Sequence, residues 1–215
     1  MKGLMFNNKY GLEDAVLNGT KTMTRENIRI PNTFNGIFVA GFKKWTNSLG
    51  QWFTELYDED ERSIEGSELK PPYEIGEIVA VKQAYKDTNI DFIPCDEKGK
   101  CGNPKEMAGW TNKMFVKNEI MPHRVKITNI ILQRLQDISN EDCLKEGVIK
   151  NQIGYYVKGI RLNSIRGSYT IVDDVAYKLF PTPKEAYAAL INKLNGKGTW
   201  GKNNWVWAVE FELIK

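Results

Sequence analysis

The sequence of 215 residues predicts an α+β fold that is mainly β, a small barrel or sheet flanked by short helices. Three observations predict it. Apolar residues alternate with polar ones in short runs, most cleanly in Trp205–Leu213, as half-buried strands require. Helical spacing is confined to a few short stretches. Strand and helix do not alternate regularly, which argues against a doubly wound parallel sheet. Hydrophobic residues make up 41% of the chain, enough for a packed core and too many for wholesale disorder. With no repeat or low-complexity tract, the expectation is one domain over residues 1–215, with insertions at about 86–119 and 149–180.

The elements follow in order. A short apolar strand spans Gly3–Phe6, and a brief helix spans Leu12–Asn18 with Leu12, Ala15 and Val16 on one side. Gly19 stands where a left-handed C′ residue belongs. Strand alternation puts Lys21, Met23 and Arg25 on one face and Thr22 and Thr24 on the other, unless a bend at the helix exit brings Lys21 and Thr24 together. Gly36–Tyr57 holds two strands around the turn at residues 47–50. Ile75-Gly76-Glu77 turns into a buried strand over Ile78–Tyr85, and His123–Leu135 is a long strand whose phase slips near Asn129, which predicts a bulge. Ser139 caps a short helix ending near Glu146-Gly147. Thr182-Pro183-Lys184-Glu185 starts another, with Ala186, Tyr187, Leu190, Ile191 and Leu194 on its apolar face and Gly196 at its close. In the last strand Trp205, Trp207, Val209, Phe211 and Leu213 face one way, and Ala208, Glu210 and Glu212 the other.

Composition narrows the function classes. A net charge of +3 is weak for a dedicated duplex-DNA binder. It suits a protein that grips one nucleotide or a short single strand with aromatic stacking surface. No apolar run approaches the ~20 residues of a membrane span. The N-terminus lacks the apolar core of a signal peptide, so a cytoplasmic location and no membrane partner are expected. Cys95, Cys101 and Cys143 are an odd set, and His123 is the only histidine. Cys95 and Cys101 bracket a polar stretch that reads as two thiols in a surface loop, so no metal and no cofactor are expected.

Four segments in order resemble the ASCH family of the PUA-like superfamily. They are Leu17-Asn18-Gly19-Thr20-Lys21-Thr22-Met23-Thr24-Arg25, Tyr73-Glu74-Ile75-Gly76-Glu77-Ile78-Val79, Leu135-Gln136-Asp137-Ile138-Ser139 through Lys145-Glu146-Gly147, and Asn204-Trp205-Val206-Trp207-Ala208-Val209-Glu210-Phe211. The resemblance covers a third to a half of the chain, leaving both insertions outside it. It implies a PUA-like β-barrel with a cleft beside the first helix, binding RNA or a modified nucleoside. Longer relatives of this type are often phage or mobile-element proteins. Small bacterial members are amidohydrolases that convert N4-acetylcytidine to cytidine and acetate with a lysine, a threonine and a glutamate. Those residues match Lys21, Thr24 and, eight positions after Ile138, Glu146. Gln83 departs from the pattern, because many members carry a glutamate near the end of that strand. A neutral amide orients a base edge but is no general base.

The residue types suit amide hydrolysis, with Thr24 as nucleophile, Lys21 as its base and Glu146 as acid/base partner. A lysine serves as base only if burial or a nearby cation lowers its pKa, and Arg25 is the cation at hand. In a variant of this scheme Glu146 activates water and Thr24 orients the substrate. Arg25, Gln83, Trp110 and Trp200 are the candidate nucleotide-binding residues, the two tryptophans because they sit in glycine-bearing loops suited to base stacking. Plainer roles stand beside these. Lys21 and Arg25 also suit a phosphate clamp, Thr24 an ordinary strand position, Glu146 a solvated helix end, and the tryptophans packing beneath loops. The functions in contention are a nucleic-acid-binding module, a nucleoside amidohydrolase and, less favoured, a single-strand RNA nuclease.

Overall fold

A computed structural model describes residues 1–48, 52–88, 106, 108–162 and 167–214. In chain order its first elements are β1 (Gly3–Leu4), α1 (Leu12–Leu17), β2 (Met23–Asn27), β3 (Thr33–Phe34), β4 (Ile37–Phe38), β5 (Gly41–Thr46), β6 (Trp52–Tyr57) and β7 (Ile78–Val81). Then follow β8 (Arg124–Arg134), α2 (Asn140–Lys145), β9 (Ile149–Lys150), β10 (Tyr155–Tyr156), β11 (Tyr169–Val172), β12 (Val175–Lys178), α3 (Pro183–Leu194), α4 (Thr199–Lys202) and β13 (Trp205–Ile214). The fold is α+β and mainly strand.

The principal sheet has the order β1-β7-β8-β13-β2, and four two-stranded sheets surround it. It is open: β1 and β2 are its two ends, and no closed barrel is found among the described residues. Its spine is the long antiparallel pair β8–β13, whose register shifts between Glu210 and Phe211, opposite Asn129 and Ile127. The shift moves the buried side of β8 from Val125 and Ile127 to Ile130 and Leu132. The slip in the sequence pattern is therefore a bulge.

In β13 Ala208 lies on the face opposite Trp207, as the alternation predicts, and both faces are covered: Val206, Trp207, Ala208 and Val209 are all buried. Ala208 lies opposite Arg25 of β2, and Arg25 reaches across that face to Asp142 and Glu146 at α2. On the other face Trp207 packs on Trp52 of the β5–β6 hairpin, with ring centroids 5.4 Å apart. A strand covered on both sides loses the advantage of a polar alternate face.

The stretch 149–180, unpatterned in sequence, forms the hairpins β9–β10 and β11–β12. The second turns at Asp173-Asp174, with φ of 49° and 59°, and β3–β4 turns at Asn35-Gly36, with φ of 50° and 80°. Two consecutive positive φ values match the twist of flanking strands, and Asn-Gly is a favoured pair for that turn. At the other insertion, Trp110 and Ile120 pack on a small core of Ala80, Tyr85, Val116 and Met121. Cys95 and Cys101 lie outside the described residues. No helix among those described is long and apolar enough to cross a membrane.

Candidate functional site

Two glycine turns bring a lysine and a glutamate face to face. After α1, Gly19 takes φ 76°, the left-handed turn expected of it. Lys21 N then donates to Ala15 O at 2.8 Å, and Thr22 N to Lys145 O at 3.0 Å, which ties the start of β2 to the end of α2. From the other direction, the Ser139 hydroxyl caps α2 by accepting from Asp142 N at 3.0 Å. The helix ends at Glu146, and Gly147 follows with φ 103°. A Cβ at Gly147 would lie 2.8 Å from Leu12 Cδ2, so this turn packs directly on α1.

The result is a buried ion cluster. Lys21 Nζ donates to Glu146 Oε2 at 2.7 Å, to Glu146 O at 2.9 Å and to Met23 O at 2.6 Å. Arg25 Nη1 donates to Glu146 Oε1 at 2.9 Å, and Nη2 to Asp142 Oδ2 at 3.3 Å. Side-chain exposure is 2% for Lys21, 1% for Arg25 and 5% for Glu146. Two cations face two carboxylates, and near neutrality is what burial of charge demands. All three protons of the Lys21 ammonium are engaged. Burial lowers the Lys21 pKa; Glu146 opposes that shift and Arg25 adds to it.

Beside the cluster is a hollow of about 200 Å³. Lys21, Thr24, Arg25, Glu146, Tyr187 and Asn195 give it polar atoms, and Phe6, Leu12, Leu190 and Ile191 give it apolar wall. Thr24 also lines the hollow, but its register opposite Val209 sets its side chain on the sheet face opposite that of Arg25, and its hydroxyl makes no hydrogen bond to a described residue. Two further polar atoms are buried without a partner among the described residues, Arg25 Nε and the Tyr187 hydroxyl. The Arg25 guanidinium carbon is 5.9 Å from the Tyr187 ring centroid. Burial raises the Tyr187 pKa well above its ordinary value, so the group is a neutral phenol able to donate. Buried donors without acceptors are uncommon and call for explanation. Arg25 and Asn195 also line a neighbouring cleft of about 710 Å³ with Glu26, Arg29, Lys70 and Trp207.

The other sequence candidates lie elsewhere. Gln83 is buried and hydrogen-bonded to His123 Nδ1 at 2.6 Å and to Glu13 Oε1 at 3.5 Å. Glu13 in turn pairs with Lys113 at 2.6 Å. This chain ties α1 to the start of β8 and does not line the hollow. Trp110 packs by Tyr85, and Trp200 stands edge-on to Tyr187 with centroids 6.1 Å apart. Neither tryptophan lines the hollow. Tyr187 and Asn195, which line the hollow, and Asp142, which pairs with Arg25 in the ion cluster, had no role in the sequence-based site. Asp142 was accessible to sequence reasoning, being one helical turn before Glu146. Tyr187 was hidden because it sits on an apolar helix face. Cys143 is buried, and no group of metal-ligating side chains is found among the described residues. No family model, curated protein or solved structure matches the chain.

Proposed function

We propose that this chain is an ASCH-type domain of the PUA-like kind that binds RNA or a modified nucleoside, taking one base or nucleoside into the hollow beside Lys21, Thr24 and Glu146. The observation that carries the proposal is the convergence of these three residues, from two separate segments, on one small cavity with a Lys21–Glu146 hydrogen bond of 2.7 Å. At about 200 Å³ the hollow falls below the ~300–1,000 Å³ typical of sites for drug-sized ligands. It suits a single base or nucleoside and excludes a folded polymer. The unpartnered Arg25 Nε and Tyr187 hydroxyl favour a ligand with a carbonyl or phosphoryl oxygen. Binding comes first because all three Lys21 protons are held by Met23 and Glu146, whereas a general base needs a free lone pair.

Amidohydrolysis of N4-acetylcytidine or a related acylated nucleoside is the second reading. It draws on the lowered Lys21 pKa and on Thr24 in the lining of the same hollow. Transfer of a proton along the Lys21–Glu146 hydrogen bond would create a neutral amine and a carboxylic acid together. The amine would then take the Thr24 proton as its oxygen attacks the acyl carbon, and the acid would protonate the departing N4. These two transfers return Lys21 and Glu146 to their ionised forms. Water would then cleave the acyl-threonine, its hydroxyl going to the acyl carbon to give acetic acid and its proton to the Thr24 oxygen.

The test is N4-acetylcytidine with purified protein, followed by titration calorimetry for binding and chromatography for cytidine. Binding without turnover, weakened in Glu146→Gln, supports the first reading. Turnover abolished in both Lys21→Ala and Thr24→Ala supports the second. Nucleosides and single-stranded RNA that bind wild type and Glu146→Gln equally would overturn both.

A further inference from the structure

A second site lies on the opposite side of α3. Tyr187, Leu190, Ile191 and Leu194 of this helix face the hollow, at helical spacings of three and four. Ala189, Asn192 and Lys193 lie on another face and line an open cleft of about 800 Å³. Its remaining wall comes from Lys9, Gly159, Ile160, Arg161, Lys178, Phe180 and Lys197. Five of these side chains are cationic, and no carboxylate lines the cleft.

The charge is concentrated here. The chain has 30 basic and 27 acidic residues, so without these five the acidic residues would outnumber the basic ones. Lys9, Arg161, Lys178, Lys193 and Lys197 are all exposed, and none forms an ion pair with a described carboxylate. Five like charges set around one concavity repel each other, and a concave wall focuses their field on whatever fills it. The backbone builds this concavity. Gly159 has φ 80°, and a Cβ there would collide with the Lys9 carbonyl, so the Lys9 turn packs against the 159–161 segment only because residue 159 is glycine. Lys178 stands 4.9 Å from the Phe180 ring centroid, which puts an aromatic ring in the basic wall.

We propose that this cleft binds the phosphodiester backbone of a single-stranded RNA, so that α3 separates a backbone-gripping face from a base-accepting one. The polyanion follows from the cleft itself. The choice of nucleic acid over other polyanions rests on the proposed nucleoside function of the hollow.

The experiment is fluorescence anisotropy of a labelled oligouridylate of about 12 nucleotides, measured across a salt series. Five phosphate contacts predict a log–log slope near −3.5, or roughly 100-fold weaker binding between about 50 and 200 mM salt. In Lys193→Glu/Lys197→Glu, both exposed positions, the slope should fall to about −2.1 and the loss over the same range to about 20-fold. Unchanged RNA affinity and slope in this variant would overturn the proposal, whatever the hollow does. Inorganic polyphosphate of matched charge that displaces the RNA equally well would overturn the choice of nucleic acid. N4-acetylcytidine calorimetry on the same variant separates the two sites: unchanged nucleoside binding beside weakened RNA binding supports the cleft. If no nucleoside binds wild type while RNA binding still depends on Lys193 and Lys197, the hollow reading fails and the polyanion site stands.

Discussion

Replacing Glu146 with alanine should cost more stability than any other single change in the ion cluster. Its two carboxylate oxygens accept from Lys21 at 2.7 Å and from Arg25 at 2.9 Å, and all three side chains are at least nine-tenths buried. Without the carboxylate, Arg25 still has Asp142 at 3.3 Å, but Lys21 keeps only the neutral carbonyls of Met23 and residue 146. Breaking a buried pair by removing one partner costs about 3–5 kcal/mol. Lys21→Met is milder, because Glu146 stays paired with Arg25 and the atoms that lose a donor are one carboxylate oxygen and the two neutral carbonyls of Met23 and residue 146, a loss of about 1–3 kcal/mol. The double variant Lys21→Met/Glu146→Ala should lose less than the sum of the two, since the stranded ammonium is gone. Urea unfolding followed by tryptophan fluorescence gives all three values. A Glu146→Ala loss below about 1 kcal/mol, or one smaller than that of Lys21→Met, would refute the reasoning, because it would mean that water already solvates the cluster.

Other outcomes follow from the same geometry. Tyr187→Phe removes a buried hydroxyl without a partner, so urea stability should hold or rise by up to about 1 kcal/mol, while calorimetry should show nucleoside binding weakened about tenfold. Gly147→Ala puts a Cβ at φ 103° and 2.8 Å from Leu12 Cδ2; the expected loss is about 1–3 kcal/mol, with weaker ligand binding because Glu146 is next to the strained residue. Burial pushes the Cys143 thiol from its ordinary 9.0 up to about 12. The unfolded chain releases this proton first, so the thiol's contribution to stability is complete below about 9 and is lost as pH rises toward 12. Urea titrations across that window should fall more steeply in wild type than in Cys143→Ala, and iodoacetamide should not label native Cys143 at neutral pH.

Much of the frame was legible in the sequence because it depends on neighbours along the chain. Ser139 and Thr182 cap helices where their hydroxyls can reach the third following amide, at 3.0 and 3.2 Å. Gly19 and Gly147 take positive φ where helices end, and the phase slip near Asn129 is a bulge. Asn35-Gly36 and Asp173-Asp174 also carried readable turn chemistry, yet the apolar runs beside them are too short and exposed to show a strand period. The pairing of Lys21 with Glu146 followed from resemblance to a family pattern. No local rule links residues 125 positions apart.

The sequence by itself determined the strand-rich class and the caps and turns that bound α1, α2 and α3, since periodicity, capping and turn chemistry act over a few residues. Thr199–Lys202 reads as a loop in sequence and is the helix α4. Only the tertiary structure decided that the main sheet is open, that Ala208 is buried, that Asp142 and Tyr187 join the site, and that Gln83 and Trp200 serve the packing around it. Those outcomes depend on which faces meet across the chain. The same holds for the basic cleft: its five cations are scattered from Lys9 to Lys197, and only the packing of α3 against distant loops gathers them around one concavity.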